Sequence, residues 1–573
     1  MPRPNELVAA LLQEYADLLS VSGGDPFRVR TYEKAARSVG GYHADVSTLD
    51  DKGLQTIPNV GGSTAQKIRG ILDEGSFAQL DELRARIPPG VLEMMAIPTL
   101  GPKKALTLYQ DLGIDSVPEL AAAIEEGRLK GMKGFGPKTA ENILRGIGLL
   151  EASGTRVQLG PATELAEEMV ARLSELPVVQ RCTFAGSLRR MAETIGDIDI
   201  LVASDAPVEV MEFFVGLPTV GEVIAHGDTK SSVRTAAGLQ VDLRVIPLGV
   251  WGAALQYFTG SKAHNIRIRE IAVRKKLKLS EYGLFDAATE DLIVAETEEE
   301  VYARLGLPWI PPPLREDRGE VQAALRGELP MLVQLKDIRG DLHTHTDLTD
   351  GLATLEQMVA AARERGYAYY AVTDHAPNLY MQRMTDQKIL AQRDRLRKLE
   401  SKGTMTLLHG TELNIDPDGG VDWPNEFLAG FDVCVASIHS HWNQTKEELT
   451  RRLVRACEHP YVNIIGHPTG RRIGSRAPLE FDLEEVFAAA ARTGTALEVN
   501  SHTDRLDLRD EHVLWARRHG VKFAVDTDSH STLHLSFMRY GVGTAQRGWL
   551  TKEDVINTWP LTKLKRFLRK GRR

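Results

Sequence analysis

The sequence predicts a multidomain protein of mixed α/β and α+β class. It places helical units at the N-terminus, a mixed β-sheet in the middle and a distorted barrel of seven strand–helix units at the C-terminus. The chain has 573 residues, several times the length of a typical single domain. A glycine-turn element recurs three times in the first 150 residues, and short apolar runs recur at helix-length spacing after residue 337. These observations together predict several separately packed cores.

The composition is that of a protein that folds in water. Hydrophobic residues make up 42% and charged residues 26% of the chain, and no apolar run approaches the roughly 20 residues of a membrane span. The N-terminus is acidic and amphipathic, without the basic and then apolar segments of a secretory signal. We therefore expect a cytoplasmic monomer without a membrane partner.

The cysteine spacing and the net charge narrow the possible functions only slightly. Cys182, Cys434 and Cys457 are widely spaced and none belongs to a CxxC pair, so buried free thiols are expected. The net charge of -8 argues weakly against nucleic acid, but local charge is the better guide. Residues 262–278 and 561–573 are strongly basic. The first segment could meet phosphates, whereas the second is better explained as a solvated tail.

The repeated N-terminal element begins at Ile57, Ile97 and Met132, where it reads IPNVGGSTAQKI, IPTLGPKKALTL and MKGFGPKTAENI. Each copy combines an apolar residue, a tight glycine turn and the start of a helix, which resembles the helix-hairpin-helix DNA-binding motif. Glycine lets backbone amides approach a phosphate, and the helix N-terminus adds a positive dipole, so no base needs to be read. The predicted DNA-binding residues are Gly61, Gly62, Gly101, Lys103, Gly134, Gly136 and Lys138.

Two copies depart from the glycine that opens the turn in the third. Asn59 and Thr99 stand where the third copy has Gly134. Asparagine adopts left-handed backbone geometry more readily than threonine, so the middle copy fits the motif least well. The alternative interpretation is that these are ordinary connections between helices.

Three acidic residues on predicted strands indicate a divalent-cation site. Asp197 and Asp199 lie two apart in GDIDILV and therefore project from one face of a strand, and Asp242 lies on a similar strand in LQVDLRV. Three carboxylates can hold two Mg²⁺ or Mn²⁺ ions about 4 Å apart, which would activate a hydroxyl and stabilise a departing pyrophosphate. We predict that these three acids catalyse nucleotidyl transfer.

The turn that precedes these strands suits a triphosphate. Gly186, Ser187 and Arg190 offer backbone amides, a hydroxyl and a guanidinium. The GS turn followed by GDxD resembles the palm of the nucleotidyltransferase superfamily, a pattern that alone does not specify what is extended.

The segment ALQYFTGSKAHNIRIRE closely resembles the one that follows the palm in DNA polymerase beta and its family X relatives. By that resemblance Tyr257 and Phe258 lie beside the incoming sugar and exclude a 2′-hydroxyl, and Gly260 belongs to the same nucleotide site. Asn265 would contact the base and Arg269 the minor groove of DNA. Taken alone, YFTGS could also be a glycine-capped helix end with core aromatics.

The resemblance to family X covers residues 1–315 and also implies a deoxyribose-phosphate lyase in the N-terminal unit. Lys67 stands where the family has its Schiff-base lysine, although the phosphate-binding lysine expected beside it is Ser63 here. Such a lysine must be partly desolvated to act near neutral pH, and a phosphate contact or an exposed side chain is the alternative.

After residue 337 nearly every apolar run ends in a residue that can bind metal. In a parallel barrel the C-terminal ends of the strands point to one face, so scattered residues can converge there. Nitrogen and oxygen ligands suit two or three ions of zinc, manganese or iron. The predicted ligands are His343, His345, Asp350, His375, Glu412, His439, His467, Asp528 and His530, whereas His409, His459, His502, His512 and His534 are expected to be structural.

The motifs HTHTDLTDG, TDH, GTE, SIHS, GHP and DTDSH resemble the PHP (polymerase and histidinol phosphatase) family. That resemblance implies a distorted (β/α)7 barrel that hydrolyses phosphoesters with bound metal. The two resemblances together indicate a family X DNA polymerase of bacterial type joined to a PHP phosphoesterase.

The expected organisation follows the order of these motifs. Its units are a helical lyase-like domain (1–90), a fingers-like helical subdomain (91–155), a nucleotidyltransferase palm (156–245), a thumb (246–315), a linker (316–336) and a PHP domain (337–573).

The expected function is gap filling in base excision repair on gapped or primed DNA with deoxynucleoside triphosphates, and the protein is expected to be associated with the nucleoid when it is on DNA. The PHP region would add 3′–5′ exonuclease activity, with abasic-site endonuclease or 3′-phosphatase activity as further options. Two alternatives stay open: a repair nuclease whose polymerase half only holds DNA, and a PHP region that is a small-molecule phosphatase or a structural module.

Overall fold

The computed structural model describes residues 4–40, 42, 45–95, 97, 100–153, 156–401 and 403–570. Thr99, the residue that weakens the middle hairpin, lies outside these ranges. None of the helices in the described part of the chain is both long and apolar enough to cross a lipid bilayer.

The N-terminal region is built from short helices around a shared apolar cluster that runs from Val8 to Ile147. This cluster is continuous across residue 90, the predicted boundary between the two helical units. The helices are α1 (Pro4–Val21), α2 (Pro26–Gly40), α3 (Asp51–Leu54), α4 (Gly62–Glu74), α5 (Ala78–Arg86), α6 (Pro89–Met95), α7 (Pro102–Leu112), α8 (Val117–Glu125) and α9 (Pro137–Ser153).

The middle region is a mixed sheet with strand order β2-β4-β7-β6-β5, covered by helices. Strands β4 and β7 are parallel and the other neighbours antiparallel. Alternation along β4 directs Ile198, Ile200 and Val202 into the apolar cluster beneath the sheet. The elements are β1 (Val157–Gln158), α10 (Leu159–Ser174), β2 (Arg181–Phe184), α11 (Gly186–Arg189), β3 (Thr194–Ile195), β4 (Asp197–Ala203), α12 (Pro207–Val215), β5 (Val220–His226), β6 (Lys230–Thr235) and β7 (Gln240–Ile246).

The region that follows packs helices against a small antiparallel sheet. It comprises α13 (Trp251–Thr259), α14 (Lys262–Arg274), β8 (Leu277–Ser280), β9 (Gly283–Asp286), β10 (Leu292–Val294), α15 (Glu298–Arg304) and α16 (Glu320–Arg326).

The segment 316–336, which we expected to be a linker, is packed into this thumb. Val321 and Ala324 of α16 join the apolar cluster of the region. Glu320 is buried and its Oε1 lies 2.6 Å from Nδ1 of His264. Glu316 and Glu320 are thus paired with Arg190 and His264, and sequence composition cannot distinguish such paired charges from an exposed charge run.

The C-terminal region confirms the predicted barrel. In residues 337–401 and 403–570, seven parallel strands pair in chain order, β11 to β17. A parallel bridge between Thr344 and Ser529 brings the first and last strands together, so the barrel nearly closes. Its elements are β11 (Gly340–Asp341), α17 (Leu355–Glu364), β12 (Tyr369–Val372), α18 (Asp386–Glu400), β13 (Thr406–Asn414), α19 (Asn425–Leu428), β14 (Val433–Ser437), α20 (Lys446–Glu458), β15 (Ile464–Ile465), α21 (Leu483–Thr493), β16 (Ala496–Asn500), α22 (Asp510–Arg518), β17 (Phe523–Asp526), α23 (Met538–Arg547) and α24 (Leu561–Leu568).

The barrel packs directly on the palm. Leu506 and Tyr540 of the barrel are buried in the apolar cluster of the palm. Arg471 reaches Glu193 of the palm with 2.7 Å between Nη2 and Oε2. The two catalytic halves expected from the sequence therefore share a continuous interface.

Candidate active sites

The three predicted palm acids lie on two adjacent strands. In the parallel register of β4 and β7, Asp199 is the partner of Asp242 and Asp197 is the partner of Gln240. Asp242 is further held by Gln240, whose Nε2 donates to Oδ1 at 2.9 Å, and by Lys230, whose Nζ lies 3.5 Å from Oδ2. Strand alternation places all three carboxylates on one side of the sheet.

The electrostatics of Asp199 show how concentrated this negative charge is. Burial first, and then the charges of Asp197 and Asp242, raise the pKa of Asp199 to about 7, against the opposing charges of Arg244 and Arg190. A divalent cation would relieve this repulsion, and a set of carboxylate oxygens suits Mg²⁺ or Mn²⁺. The residues present thus fit the predicted metal pair.

The glycine turn before β4 is shaped around Asp199. Gly186 has φ +60°, and a Cβ at this position would lie 2.3 Å from Oδ2 of Asp199, so only glycine fits. Ser187 follows in the first turn of α11. Arg190 ends this turn, with Nε 3.0 Å from Oε1 of Glu316 and Nη1 donating to the carbonyl of Thr259 at 2.6 Å.

The residues of the YFTGS segment adjoin this centre at the end of α13. Asn265 Nδ2 donates to the carbonyl of Tyr257 at 2.7 Å, and Arg269 Nε donates to the carbonyl of Asn265 at 3.3 Å. The rings of Tyr257 and Phe258 meet edge to face with centroids 5.1 Å apart. A Cβ on Gly260 would lie 3.4 Å from Nη1 of Arg190. The structure therefore brings the predicted sugar, base and triphosphate residues together.

Sequence reasoning missed Arg244. Its guanidinium lies 4.7 Å from the centroid of the Phe258 ring and its charge lowers the pKa of Asp199. It thus connects the acids with the aromatic pair. The available signal was its position two residues after Asp242 on β7, which places both side chains on one face.

The glycine turns of the helical region each lead into a helix. Gly61, Gly101 and Gly136 directly precede α4, α7 and α9. Asn59 has φ +63° and Gly134 has φ +90°, so the asparagine adopts the left-handed geometry predicted for it. Helix N-termini that follow such turns expose amides suited to phosphate.

The predicted lyase residue lies in the same region. Lys67 is half-buried, and its Nζ lies 3.1 Å from Oγ of Ser63 and 5.6 Å from the centroid of the Tyr32 ring. The amine thus lies near both a hydroxyl and an aromatic ring. The lyase role stays a prediction.

The nine predicted metal ligands of the barrel converge at the C-terminal ends of its strands. Within the described ranges they form three overlapping groups, in each of which the ligand atoms all lie within 4.8 Å of one another. The first group is His345, Asp350, His375 and His530; the second is His343, His345 and Asp528; the third is His375, Glu412 and His439. His467 adjoins the last set, with Nε2 3.0 Å from Oε1 of Glu412. This arrangement accommodates two or three cations.

Glu412 lies at the centre of this cluster. Its Oε1 is 3.1 Å from Nε2 of His439, and its Oε2 is 2.9 Å from Nδ1 of His375. On the other side, Oδ1 of Asp528 lies 3.2 Å from Nε2 of His345. The carboxylates thus alternate with imidazoles, as in sites shared by neighbouring cations.

The pKa shifts reflect this alternation. Burial opposes the charged form of Glu412, but the surrounding histidines, His439 first, hold its pKa well below the usual range. Burial disfavours protonated His343, yet Glu498, Asp528 and Glu412 raise its pKa well above the usual value. In the described part of the molecule, the buried ligand atoms without a hydrogen-bond partner include Nδ1 of His345 and Oδ1 of Asp350. Such atoms fit a role in binding metal.

Two supporting residues escaped the sequence analysis. Oε1 of the buried Glu498 lies 2.6 Å from Nδ1 of His343, and Oδ1 of Asn414 lies 2.7 Å from Nδ1 of His439. Each contact orients an imidazole so that its Nε2 faces the cluster. The signal for Glu498 was a carboxylate within the apolar strand ALEVN, the one strand to which we assigned no ligand.

Family models match most of this architecture. The descriptions and ranges are a helix-hairpin-helix domain at residues 3–77, a SAM-like helix-hairpin-helix tandem at 91–148, a DNA polymerase beta thumb at 254–316 and a PHP domain at 341–502. The DNA polymerase/3′-5′ exonuclease PolX of Bacillus subtilis (strain 168) is 36% identical over 568 residues, which cover 98% of this chain and 99% of that protein. This chain belongs to the PolX family.

Other relatives match only part of this PolX family member. DNA polymerase lambda of Rattus norvegicus is 27% identical over 322 residues, 51% of this chain and 53% of that protein. A probable phosphatase of Acetivibrio thermocellus is 33% identical over 229 residues, 38% of this chain and 86% of that protein. The predicted family, with its combination of hairpins, thumb and PHP region, is thereby confirmed, and the individual site residues stay predictions.

Proposed function

We propose that this chain is a DNA polymerase that fills short gaps and that its barrel shortens DNA from the 3′ end by metal-dependent hydrolysis. One observation carries this proposal. A carboxylate centre and an imidazole-rich centre coexist in a chain that matches a DNA polymerase/3′-5′ exonuclease over 98% of its length.

In the palm, Asp197, Asp199 and Asp242 would hold Mg²⁺ or Mn²⁺, which when bound would supply activation of the primer hydroxyl and charge neutralisation at the departing pyrophosphate. Ser187 and Arg190 bind the triphosphate at the turn shaped by Gly186.

At the sugar and the base, side chains of the thumb select the substrate. Phe258 is fixed by the guanidinium of Arg244, and Tyr257 is packed against Phe258. Together the two rings restrict space at the 2′ position. Asn265 is held from both sides, by Gln256 at 2.8 Å and by the carbonyl of Tyr257 at 2.7 Å, so its amide is positioned before the base arrives.

In the barrel, the nine predicted ligands would hold zinc, manganese or iron, which when bound would supply an activated water and charge neutralisation at the phosphoryl oxygens. Glu498 and Asn414 keep the imidazoles of His343 and His439 in the ligand orientation. Arg505, with Nε 3.5 Å from Oδ2 of Asp528, balances the charge of that carboxylate.

The experiment uses one gapped duplex with a labelled primer. With deoxynucleotides and Mg²⁺ the primer should lengthen up to the end of the gap, and with Mn²⁺ but without nucleotides it should shorten from its 3′ end. A chelator should stop both reactions. Primer that is neither extended nor shortened under any of these conditions would refute the proposal.

A second candidate function for the barrel is hydrolysis of small phosphomonoesters. The probable phosphatase of Acetivibrio thermocellus, which matches 38% of this chain, favours it. The two functions are separated by comparing primer shortening with phosphate release from para-nitrophenyl phosphate in the same preparation. Faster turnover of the small ester would favour the phosphatase, whereas faster shortening of DNA would favour the exonuclease.

A further inference from the structure

The last residue of α23 in the barrel reaches into the polymerase centre. Nη1 of Arg547 donates to the backbone carbonyl of Arg190 at 2.8 Å and lies 2.7 Å from Oε1 of Glu316. The same Oε1 of Glu316 lies 3.0 Å from Nε of Arg190. Arg547 therefore contacts the backbone of Arg190 directly, and it is linked to the Arg190 guanidinium through Glu316.

Arg547 is itself held in place. Its Nε donates to Oδ2 of Asp510 at 2.8 Å, and the same oxygen accepts from Nη1 of Arg318 at 2.9 Å. Arg547 is only 8% exposed, so this is not a surface ion pair that water can weaken. In a buried network of this kind, loss of one charge leaves its partner uncompensated.

The network limits how Arg190 can move. Its Nε is paired with Glu316 and its Nη1 donates to the carbonyl of Thr259 at 2.6 Å. Among the described residues, Nη2 of Arg190 has no acceptor, so this is the nitrogen left for a ligand. An arginine side chain that is fixed in advance loses less conformational entropy on binding, and therefore binds an anion more tightly.

We propose that Arg547 is a positioning residue of the polymerase reaction. By holding Glu316, it keeps the Arg190 guanidinium directed at the triphosphate of the incoming nucleotide. The barrel thereby contributes to nucleotide binding through a side chain that touches no substrate. This inference rests on the proposed function, because it takes Arg190 to be a triphosphate ligand.

The test compares the KM for deoxynucleotides during gap filling in full-length variants. Arg547→Ala should raise this KM about tenfold, which corresponds to about 1.4 kcal/mol, with a smaller change in kcat. Glu316→Gln should do the same, and the double variant should be no worse than either single one because both changes break one network. Shortening of DNA should continue at the wild-type rate, which shows that the barrel is folded.

Arg539→Ala is the matched control. Arg539 is also on α23 and also bridges to the palm, with Nη1 2.8 Å from Oε1 of Glu167, but it has no contact with Arg190. Its KM should stay that of the wild type. If Arg547→Ala gave the same KM as Arg539→Ala, the positioning role would be refuted.

Two further variants keep the outcome interpretable. If Arg547→Ala lost both activities through misfolding, Glu316→Gln, which preserves the size of the side chain, decides the question by the same KM measurement. Arg190→Ala separates the two proposals. An unchanged KM in Arg190→Ala would refute the triphosphate role itself, whereas a raised KM there with an unchanged KM in Arg547→Ala and Glu316→Gln would refute only the positioning role.

Discussion

Asp199 stands directly beside Asp242 in the parallel register of β4 and β7. Because two such carboxylates would share a cation, Asp242→Ala should reduce nucleotide addition about 100-fold or more. Binding of gapped DNA should be nearly unchanged or slightly tighter, since an acid that faces phosphates disappears. Primer extension and DNA affinity measured on the same preparation check this. Extension at the wild-type rate would show that the palm acids are wrongly assigned.

Gly186→Ala should abolish extension without affecting hydrolysis by the barrel. The added Cβ would lie 2.3 Å from Oδ2 of Asp199, at a residue with φ +60°, so either the turn or the carboxylate must move. Gly249→Ala is the control, because a Cβ there meets no atom within 4 Å among the described residues. Both variants are assayed for extension and for shortening. Normal extension by Gly186→Ala would contradict the site geometry.

His439→Ala should lose 3′-end shortening and keep gap filling. Its Nε2 lies 3.1 Å from Oε1 of the central Glu412, while the palm acids lie on a different sheet. Imidazole-rich sites hold transition metals more tightly than carboxylate sites, so removing one ligand should act on the barrel alone. Gel analysis of a single primed substrate compares His439→Ala with Asp242→Ala. The prediction fails if both substitutions remove the same activity.

Tyr257→Ala should relax discrimination against ribonucleotides about tenfold, because the ring beside the sugar is removed. The hydrogen bond from Asn265 should survive, since its acceptor is the backbone carbonyl of residue 257. The measurement is the ratio of kcat/KM for deoxy- and ribonucleotides. Tyr282→Ala, at an exposed position of the thumb, should leave the ratio unchanged. An unchanged ratio in Tyr257→Ala would show that the steric role lies elsewhere.

His409 should make the barrel sensitive to acid. Burial lowers the pKa of His409 to about 4, whereas an unfolded histidine has a pKa near 6.5. A lowered pKa means that the unfolded state binds the proton first, so stability is complete above pH 6.5 and falls as the pH drops toward 4. The loss between pH 8 and pH 5 is about 2 kcal/mol.

His409→Phe should remove this contribution while keeping a ring that can stack on Phe431, whose centroid lies 5.0 Å from that of His409. The check is urea unfolding of wild type and variant at pH 8 and pH 5, followed at the transition of the barrel. The difference between the two proteins should shift in favour of the variant at pH 5. Identical pH dependence would show that His409 does not titrate as described.

The barrel ligands could be predicted because each one follows or lies in a short apolar strand, and parallel strands end on one face. Glu498 was missed since a carboxylate within an apolar strand carries no sign of which histidine it contacts. Strand alternation could have placed Arg244 on the same face as Asp242. Its stacking on Phe258, however, depends on how α13 packs against the sheet. The contact between Arg547 and Glu316 joins segments far apart in sequence, which no local pattern reports.

The segment 316–336 is a second case in which local sequence did not show the tertiary contacts. It was expected to be a linker, yet Glu320 is buried beside His264. Sequence composition gives the number of charged residues but not whether another side chain pairs with each of them in the folded structure.

The burial of Leu506 and Tyr540 in the palm has a consequence for how this gene could be divided. A fragment that stops before the barrel would leave an apolar hollow open to water, and exposed apolar surface of this kind promotes self-association. The polymerase and hydrolase portions are therefore not interchangeable cassettes. If recombination replaced one portion with that of a distant relative, the new protein would need the same apolar contact between palm and barrel to avoid self-association.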